Sequence, residues 1–289
     1  MKEKHLGVIG GSGLYQIEGL KVEKEVEIKT PFGRPSDKYM IGILQGHKVV
    51  FLPRHGRGHH INPSQINYRA NIYGMKQLGV GAILAISAVG SLKEEIEPGH
   101  VVVVDQFIDR TYGRSSTFFE DGIVAHISFA DPLCPSLRQS LLRAAQKAEA
   151  RVHAEGTYVC MEGPQFSTRA ESNLYRQWGA DVIGMTNLQE AKLAREAEIC
   201  YATLALSTDY DCWHETHDDV TVDAILEVLR KNVALAKKVI KNIVLLIEER
   251  SPCDCHQALK NSIITDRQCL SKETMKRLSL IVGKYFEKG

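Results

Sequence analysis

Ala82-Ile-Leu-Ala-Ile-Ser-Ala88 is apolar on successive residues up to Ser87, where a half-exposed strand would alternate apolar with polar. That pattern describes a strand covered on both faces, as in a mainly parallel sheet between layers of helix. On either side, Leu6–Ile9, Val49–Leu52, Val101–Val104, Tyr158–Met161, Asp181–Met185 and Tyr201–Ser207 also have strand character. Helical patterns separate the runs at Ser64–Leu78, Ser136–Ala150, Arg169–Trp178 and Leu188–Glu198. The longest, Val222–Ile247, places Val222, Ile225, Leu226, Leu229, Val233, Ala236, Ile240 and Ile247 on one face, with Thr221 as its expected N-cap. A last helix is expected over Lys272–Phe286. Strands alternating with helices predict an α/β fold with a twisted, mainly parallel mixed central sheet.

With 289 residues, 44% of them hydrophobic and 25% charged, the chain reaches the upper edge of what one core spans. No repeat or linker divides it, so one domain is expected over 1–289, with its core at about 5–250 and a helical tail at 251–289. A formal net charge of +1 gives no global field to recruit nucleic acid or an anionic membrane. No apolar run approaches the roughly 20 residues of a membrane helix. Met1–His5 leads into no signal-peptide core, so a cytoplasmic protein is expected. The seven cysteines are dispersed, as buried thiols in a reducing compartment would be. Cys253-Asp254-Cys255 is the exception: metal binding, a strained disulfide and two plain loop thiols are all open.

Ligands in open α/β sheets sit at the carboxyl ends of strands, and these ends carry the polar groups here. Gly10-Gly11-Ser12-Gly13-Leu14 lets backbone approach an anion, and Ser12 adds a hydroxyl. Neither a Walker loop nor a dinucleotide fingerprint fits, because no Gly-Lys-Ser/Thr follows and Gln16 replaces the third glycine. Pro53-Arg54-His55-Gly56-Arg57-Gly58-His59-His60 offers arginine forks that match phosphate oxygens. Its rivals are a metal on His55, His59 and His60, which no nearby carboxylate supports, and a solvated basic loop. Ser87-Ala88-Val89-Gly90-Ser91 suits the same anion or a simple turn.

Two carboxylates stand in Ser207-Thr208-Asp209-Tyr210-Asp211-Cys212-Trp213, and would face one side if the chain stayed extended. Such a pair reads an exocyclic amine, or holds a proton for a ring nitrogen. An exposed acidic loop or a helix cap is the alternative. In the segment 161–171, Phe166 either stacks on a planar base or belongs to the core.

Taken in order, these segments resemble the methylthioadenosine phosphorylase branch of the trimeric purine nucleoside phosphorylases. The likeness rests on GVIGGSGL (7–14), TPFGRPSD (30–37), RHGRGH (54–59), PSQINYRANIY (63–73), AVGSLKEEIEPG (88–99) and VVDQFIDRT (103–111). It continues through EGPQFSTRAES (162–172), WGADVIGMT (178–186), AREAEICYA (194–202) and STDYDCW (207–213). The resemblance implies phosphate held by Ser12, Arg54, His55, Ser87, Ala88 and Thr186, and base and ribose held by Phe166, Ser167 and Met185. It implies that Asp209 and Asp211 read the N7 and 6-amino edge of adenine and that Asp209 donates the proton. Val222, Ile225 and Leu226 would form an apolar pocket for a 5'-methylthio group, reached by His126 of a neighbouring subunit. A homotrimer or dimer of trimers, inorganic phosphate as co-substrate, and no metal or organic cofactor are implied as well.

Two features depart from the family. Thr186-Asn187-Leu188-Gln189-Glu190 replaces the Thr-Thr-Val-Pro-Glu common in eukaryotic members, and the tail with Cys253 and Cys255 matches only some members, notably thermophilic ones with disulfides. The implied activity is phosphate-dependent cleavage of 5'-methylthioadenosine, with broader action on adenosine or inosine as the alternative. A metal-dependent hydrolase and a non-catalytic nucleotide sensor are the rivals from other classes.

Overall fold

The computed structural model describes residues 5–11, 14, 16–214, 222–247 and 253–286, the side chains of 222–226 and 229 excepted. Ser12 and Thr221 therefore lie outside the described residues, as do the side chains of Val222, Ile225 and Leu226. The chain runs β1 (His5–Gly10), β2 (Leu20–Val26), β3 (Tyr39–Leu44), β4 (His47–Pro53), α1 (Tyr68–Gln77), β5 (Val80–Ser91), β6 (Val101–Val103) and β7 (Gln106–Arg110). It continues with α2 (Pro135–Lys147), β8 (Val152–His153), β9 (Thr157–Met161), α3 (Arg169–Gln177), β10 (Val182–Gly184), α4 (Leu188–Glu196) and β11 (Cys200–Asp209). The helices α5 (Val222–Leu246) and α6 (Lys272–Phe286) complete the order.

Strand β5 is the hub of the sheet. It pairs in parallel with β1 over Val80–Ala85, in parallel with β11 over Ala82–Gly90, and antiparallel with β10 at Gly90–Ser91. The sheet is ordered β2-β3-β4-β1-β5-β10-β9-β7, and β11, β6 and β8 branch from β5. The pairs β1–β4, β9–β10, β7–β9 and β6–β8 are parallel too, whereas β2–β3, β3–β4 and β6–β11 are antiparallel.

Successive side chains of β5 enter different cores, as strand geometry requires. Ile83 and Ala85 pack with Ile72 and Met75 of α1, Leu193 and Ala194 of α4, and Ile281 of α6. Ala82, Leu84 and Ile86 pack with Leu137 and Leu141 of α2 and Ile240 and Ile243 of α5. Two buried layers on one strand explain its unbroken apolar run. Each fully buried Ile or Leu contributes on the order of 1.5–3 kcal/mol of transfer energy, and those of β5, Ile83, Leu84 and Ile86, are no more than 3% exposed.

The sequence reading missed β2, β3, β7 and β8. Lys21, Glu23, Lys24 and Glu25 give β2 the look of a solvated segment, and it is indeed an exposed edge strand. Gly42 interrupts β3, and its missing side chain lets the backbone pass Lys21, since a Cβ there would lie 2.8 Å from the Lys21 carbonyl oxygen. Helix α1 starts at Tyr68 instead of Ser64. Asn62 Oδ1 accepts from the Ser64 and Gln65 N–H groups at 3.0 Å, closing a separate turn, and Asn67 then caps the helix through Ala70 N–H at 3.1 Å.

Candidate active site

The polar segments converge on the last residues of β5. Arg54, following β4, is 2% exposed, and its Nη1 donates to the Ile86 carbonyl at 3.0 Å. Its Nε and Nη2 form a two-pronged pair with Glu190 at 2.5 and 3.1 Å. Glu190 lies in the first turn of α4, is wholly buried, and also accepts from the Tyr201 hydroxyl at 2.8 Å. A solvated basic loop is thereby excluded for Arg54. Two hydrogen bonds to one carboxylate fix the plane of the guanidinium, so its charge is directed.

His55 is half-buried, and its Nδ1–H donates to the Ile61 carbonyl at 2.8 Å, which leaves Nε2 as an acceptor. Its ring stacks on His59 with centroids 4.2 Å apart, while His59 and His60 are exposed. Ser87 Oγ lies 3.4 Å from Thr186 Oγ1 and from the Tyr158 hydroxyl, linking β5 to β9 and to the residues that follow β10. Ala88, beside it, is exposed although its strand neighbours are buried, so β5 opens onto solvent there. Thr186 Oγ1 donates to Asn187 Oδ1 at 2.9 Å, and Asn187 Nδ2 donates to Thr203 Oγ1 at 2.9 Å. Asn187 holds a left-handed backbone (φ 81°) immediately before α4, a strain of the kind that the surrounding bonds must hold in place.

The aspartate pair sits on a bulge. The register of β11 against β5 slips between Ser207 and Asp209, and Thr208 Oγ1 reaches the Val89 carbonyl at 3.1 Å. A bulge re-aims the next side chain, and here Asp209 faces Gly90, where a Cβ would lie 3.0 Å from Asp209 Oδ1. Asp209 accepts from Thr208 Oγ1 at 2.7 Å and from the Asp211 N–H at 2.8 Å. Burial raises its pKa above the ordinary carboxylate value, and the neighbouring Asp211 charge adds to that. The chain does not stay extended between the two aspartates. It turns at Tyr210 into a short 3-10 helix, Asp211–Trp213, where Trp213 Nε1–H donates to the Ser91 carbonyl at 2.7 Å. Asp211 instead faces Ser167, whose hydroxyl lies 2.9 Å from its Oδ2.

Phe166 is 63% exposed and is no part of the core. Met185 closes against Gly163, whose φ of +66° and missing Cβ admit the thioether, since a Cβ there would sit 2.5 Å from Met185 Sδ. Arg114 gathers these pieces. Its side chain is 1% exposed and donates to the Met185 carbonyl at 2.6 Å, to Gln189 Oε1 at 3.2 Å and to the Glu162 carbonyl. Glu162 in turn accepts from Ser64 Oγ and from the Tyr112 N–H.

Sequence reasoning did not assign Glu190, Tyr201 or Arg114 to the site. His126 is not brought to these strand ends by its own chain. It is exposed, and its N–H donates to the Ser262 carbonyl at 2.9 Å, beside the Ala125–Ile263 bridge to the tail.

Burial, and then repulsion from Arg54, lower the His55 pKa from 6.5 to about 4. As pH falls through that window, the unfolded chain takes up a proton that the folded chain refuses. The stability owed to neutral His55 is therefore complete above 6.5 and lost toward 4. Glu196, which burial pushes up to about 7, acts in the opposite sense, so comparison with a variant isolates His55. Thermal melts at several pH values should show a shallower acid loss of Tm in His55→Gln than in the native chain. Equal slopes would remove His55 from the acid response.

The fold and this clustering are those of a nucleoside phosphorylase-like α/β protein. The chain belongs to the phosphorylase superfamily, which its residues 5–245 match. It is 60% identical over 284 residues to S-methyl-5'-thioadenosine phosphorylase of Geobacter sulfurreducens, covering 98% of this chain and 99% of that one. The protein of the same name from Koribacter versatilis is 56% identical over 284 residues, covering 98% and 97%. A crystal structure of methylthioadenosine phosphorylase from an antarctic soil metagenomic library matches with a TM-score of 0.92 at 51% identity, covering 97% of this chain and 99% of that one. Methylthioadenosine phosphorylase from Schistosoma mansoni in complex with adenine matches with a TM-score of 0.81 at 39% identity, covering 89% and 96%.

Proposed function

We propose that this chain cleaves 5'-methylthioadenosine with inorganic phosphate, releasing adenine and 5-methylthioribose 1-phosphate. The observation that carries the reading is a buried, directed arginine after β4 and a half-buried carboxyl of raised pKa at the end of β11, both set against the last residues of β5. Relatives 56–60% identical to the chain are named for this activity, which supports it.

In this reading Arg54, Ser87, Ala88, Thr186 and Ser12 hold phosphate, and His55 Nε2 accepts a hydrogen from its protonated form. Phosphate approaches C1' as the glycosidic bond breaks through an oxocarbenium-like state. Asp209, protonated, donates to N7 as the purine leaves with negative charge. Asp211, fixed by Ser167, accepts from the 6-amino group, and Phe166 stacks on the base. Met185 lies against the sugar.

Val222, Ile225 and Leu226 supply an apolar surface for the 5'-methylthio group, and burying a hydroxyl there without a partner would cost about 1–3 kcal/mol. The reaction uses phosphate as co-substrate and needs no metal or organic cofactor. Assembly as a homotrimer or dimer of trimers, with His126 reaching a neighbour's pocket, and residence in the cytoplasm complete the reading.

A substrate panel tests the specificity. Methylthioadenosine should be cleaved most efficiently, adenosine about tenfold less well given the hydroxyl cost, and inosine least. Inosine as the best substrate would mean that Asp209 and Asp211 do not select a 6-amino purine.

A further inference from the structure

Four cysteines from three distant parts of the chain meet in one place. Cys134 precedes Pro135 at the N-terminus of α2, Cys200 opens β11, and Cys253 and Cys255 flank Asp254 where the tail begins. Their sulfurs all lie within 4.8 Å of one another, with Cys200–Cys253 at 3.3 Å and Cys134–Cys253 at 3.6 Å. Cys134, Cys200 and Cys255 are at most 6% exposed.

These separations exceed the roughly 2.05 Å of a disulfide. At 3.3 and 3.6 Å, with all four sulfurs within 4.8 Å, they lie close to the ~3.8 Å between sulfurs that a tetrahedral ion with metal–sulfur bonds of about 2.3 Å requires. Four sulfurs this close suit a single ion, and an all-thiolate set of four fits zinc, with iron the alternative. The surroundings suit the charge. The N-terminus of α2, at Cys134, presents the positive end of its dipole to the thiolates. His256 places Nε2 3.6 Å from Cys200 Sγ while its Nδ1 faces the Glu198 carbonyl at 2.9 Å, a second layer of support around a metal site.

We infer that Cys134, Cys200, Cys253 and Cys255 bind one Zn²⁺ as a closed tetrathiolate that fastens the tail to the β11–α2 edge. Binding releases four thiol protons and changes no oxidation state. The site takes no part in the reaction proposed above and does not depend on that reading. Cys200 and Asp209 are the two ends of β11, about 30 Å apart at roughly 3.3 Å per residue. What the zinc would fix is the tail, whose residues 262–264 pair with the 124–126 segment bearing His126.

The full chain, purified without chelator or immobilised metal, should carry close to one zinc per chain by elemental mass analysis. The Cys253→Ser/Cys255→Ser pair should lower this at least tenfold. Alkylation of the unfolded native chain after zinc removal, without reductant, should label all seven cysteines. Cobalt added to the zinc-free native chain should give the near-ultraviolet sulfur-to-metal band of a tetrathiolate. Iron in place of zinc, disulfides that leave four cysteines unlabelled, or a fully reduced native chain that takes up neither zinc nor cobalt would each overturn the assignment. These readings on the native chain decide the matter even if the variant does not fold.

Discussion

Replacing Asp209 with asparagine should leave the chain folded and lower turnover in adenine release about 10²–10⁴-fold, the usual contribution of a positioned proton donor. Asparagine keeps an acceptor for the Asp211 N–H now bonded to Asp209 Oδ1, so the turn into the 3-10 helix survives. Its amide still donates a hydrogen bond to a ring nitrogen but transfers no proton. KM should therefore change little while kcat collapses.

The pH profile gives a second reading of the same group. Burial raises the Asp209 pKa, so the folded chain retains its proton above the pH at which a free carboxyl loses it. Activity that depends on that proton is present below the folded pKa and falls as pH rises through it. The substitution should abolish this limb of the profile. A variant with near-native kcat and an unchanged alkaline limb would remove Asp209 from proton transfer.

Removing Glu190 should cost more stability than any other single change at the site. Glu190→Ala leaves Arg54 charged and 2% exposed with no anion beside it, and strips the Tyr201 hydroxyl of its acceptor. Breaking a buried pair in this way costs about 3–5 kcal/mol, a fall in Tm on the order of 10 °C. Phosphate binding should weaken as well, because Arg54 loses the two bonds that orient it. The double change Arg54→Met/Glu190→Leu separates the effects, since apolar replacement of both partners is often neutral or stabilising. It should recover most of the lost Tm and none of the activity. Thermal melts of the three chains beside phosphate saturation curves make the comparison. A Glu190→Ala chain that melts with the native one would mean that Glu190 is not the counter-charge of Arg54.

The core of the fold was legible because burial leaves a plain mark on sequence. Strand β5 alternates between two apolar layers, so no polar residue interrupts Ala82–Ile86. Helix α6 was expected over its observed span, Lys272–Phe286. Edge and short strands were not legible: β2 is exposed and charged, and β8 has only two residues.

The same physics divides the site. Arg54, Ser87 and Asp209 stand at the ends of apolar runs, where a polar residue is conspicuous. Glu190 reads locally as an ordinary first-turn acid favoured by the helix dipole, and only the fold reveals its pair with Arg54, 136 residues away. Arg114 lies in a loop between Gly113 and Ser115 and makes its contacts through tertiary structure alone. Likewise Cys134 and Cys253 are 119 residues apart, and nothing in their spacing announces a shared site.

The most direct test of the phosphorylase reading is the stoichiometry of phosphate consumed to adenine released from methylthioadenosine. One phosphate should disappear for each adenine formed, a sugar 1-phosphate should accumulate in equal amount, and adenine release should stop when phosphate is withheld. Adenine released at an unchanged rate without phosphate, alongside the free sugar, would make the reaction a hydrolysis and contradict the assignment of Arg54 and its neighbours to a phosphate site.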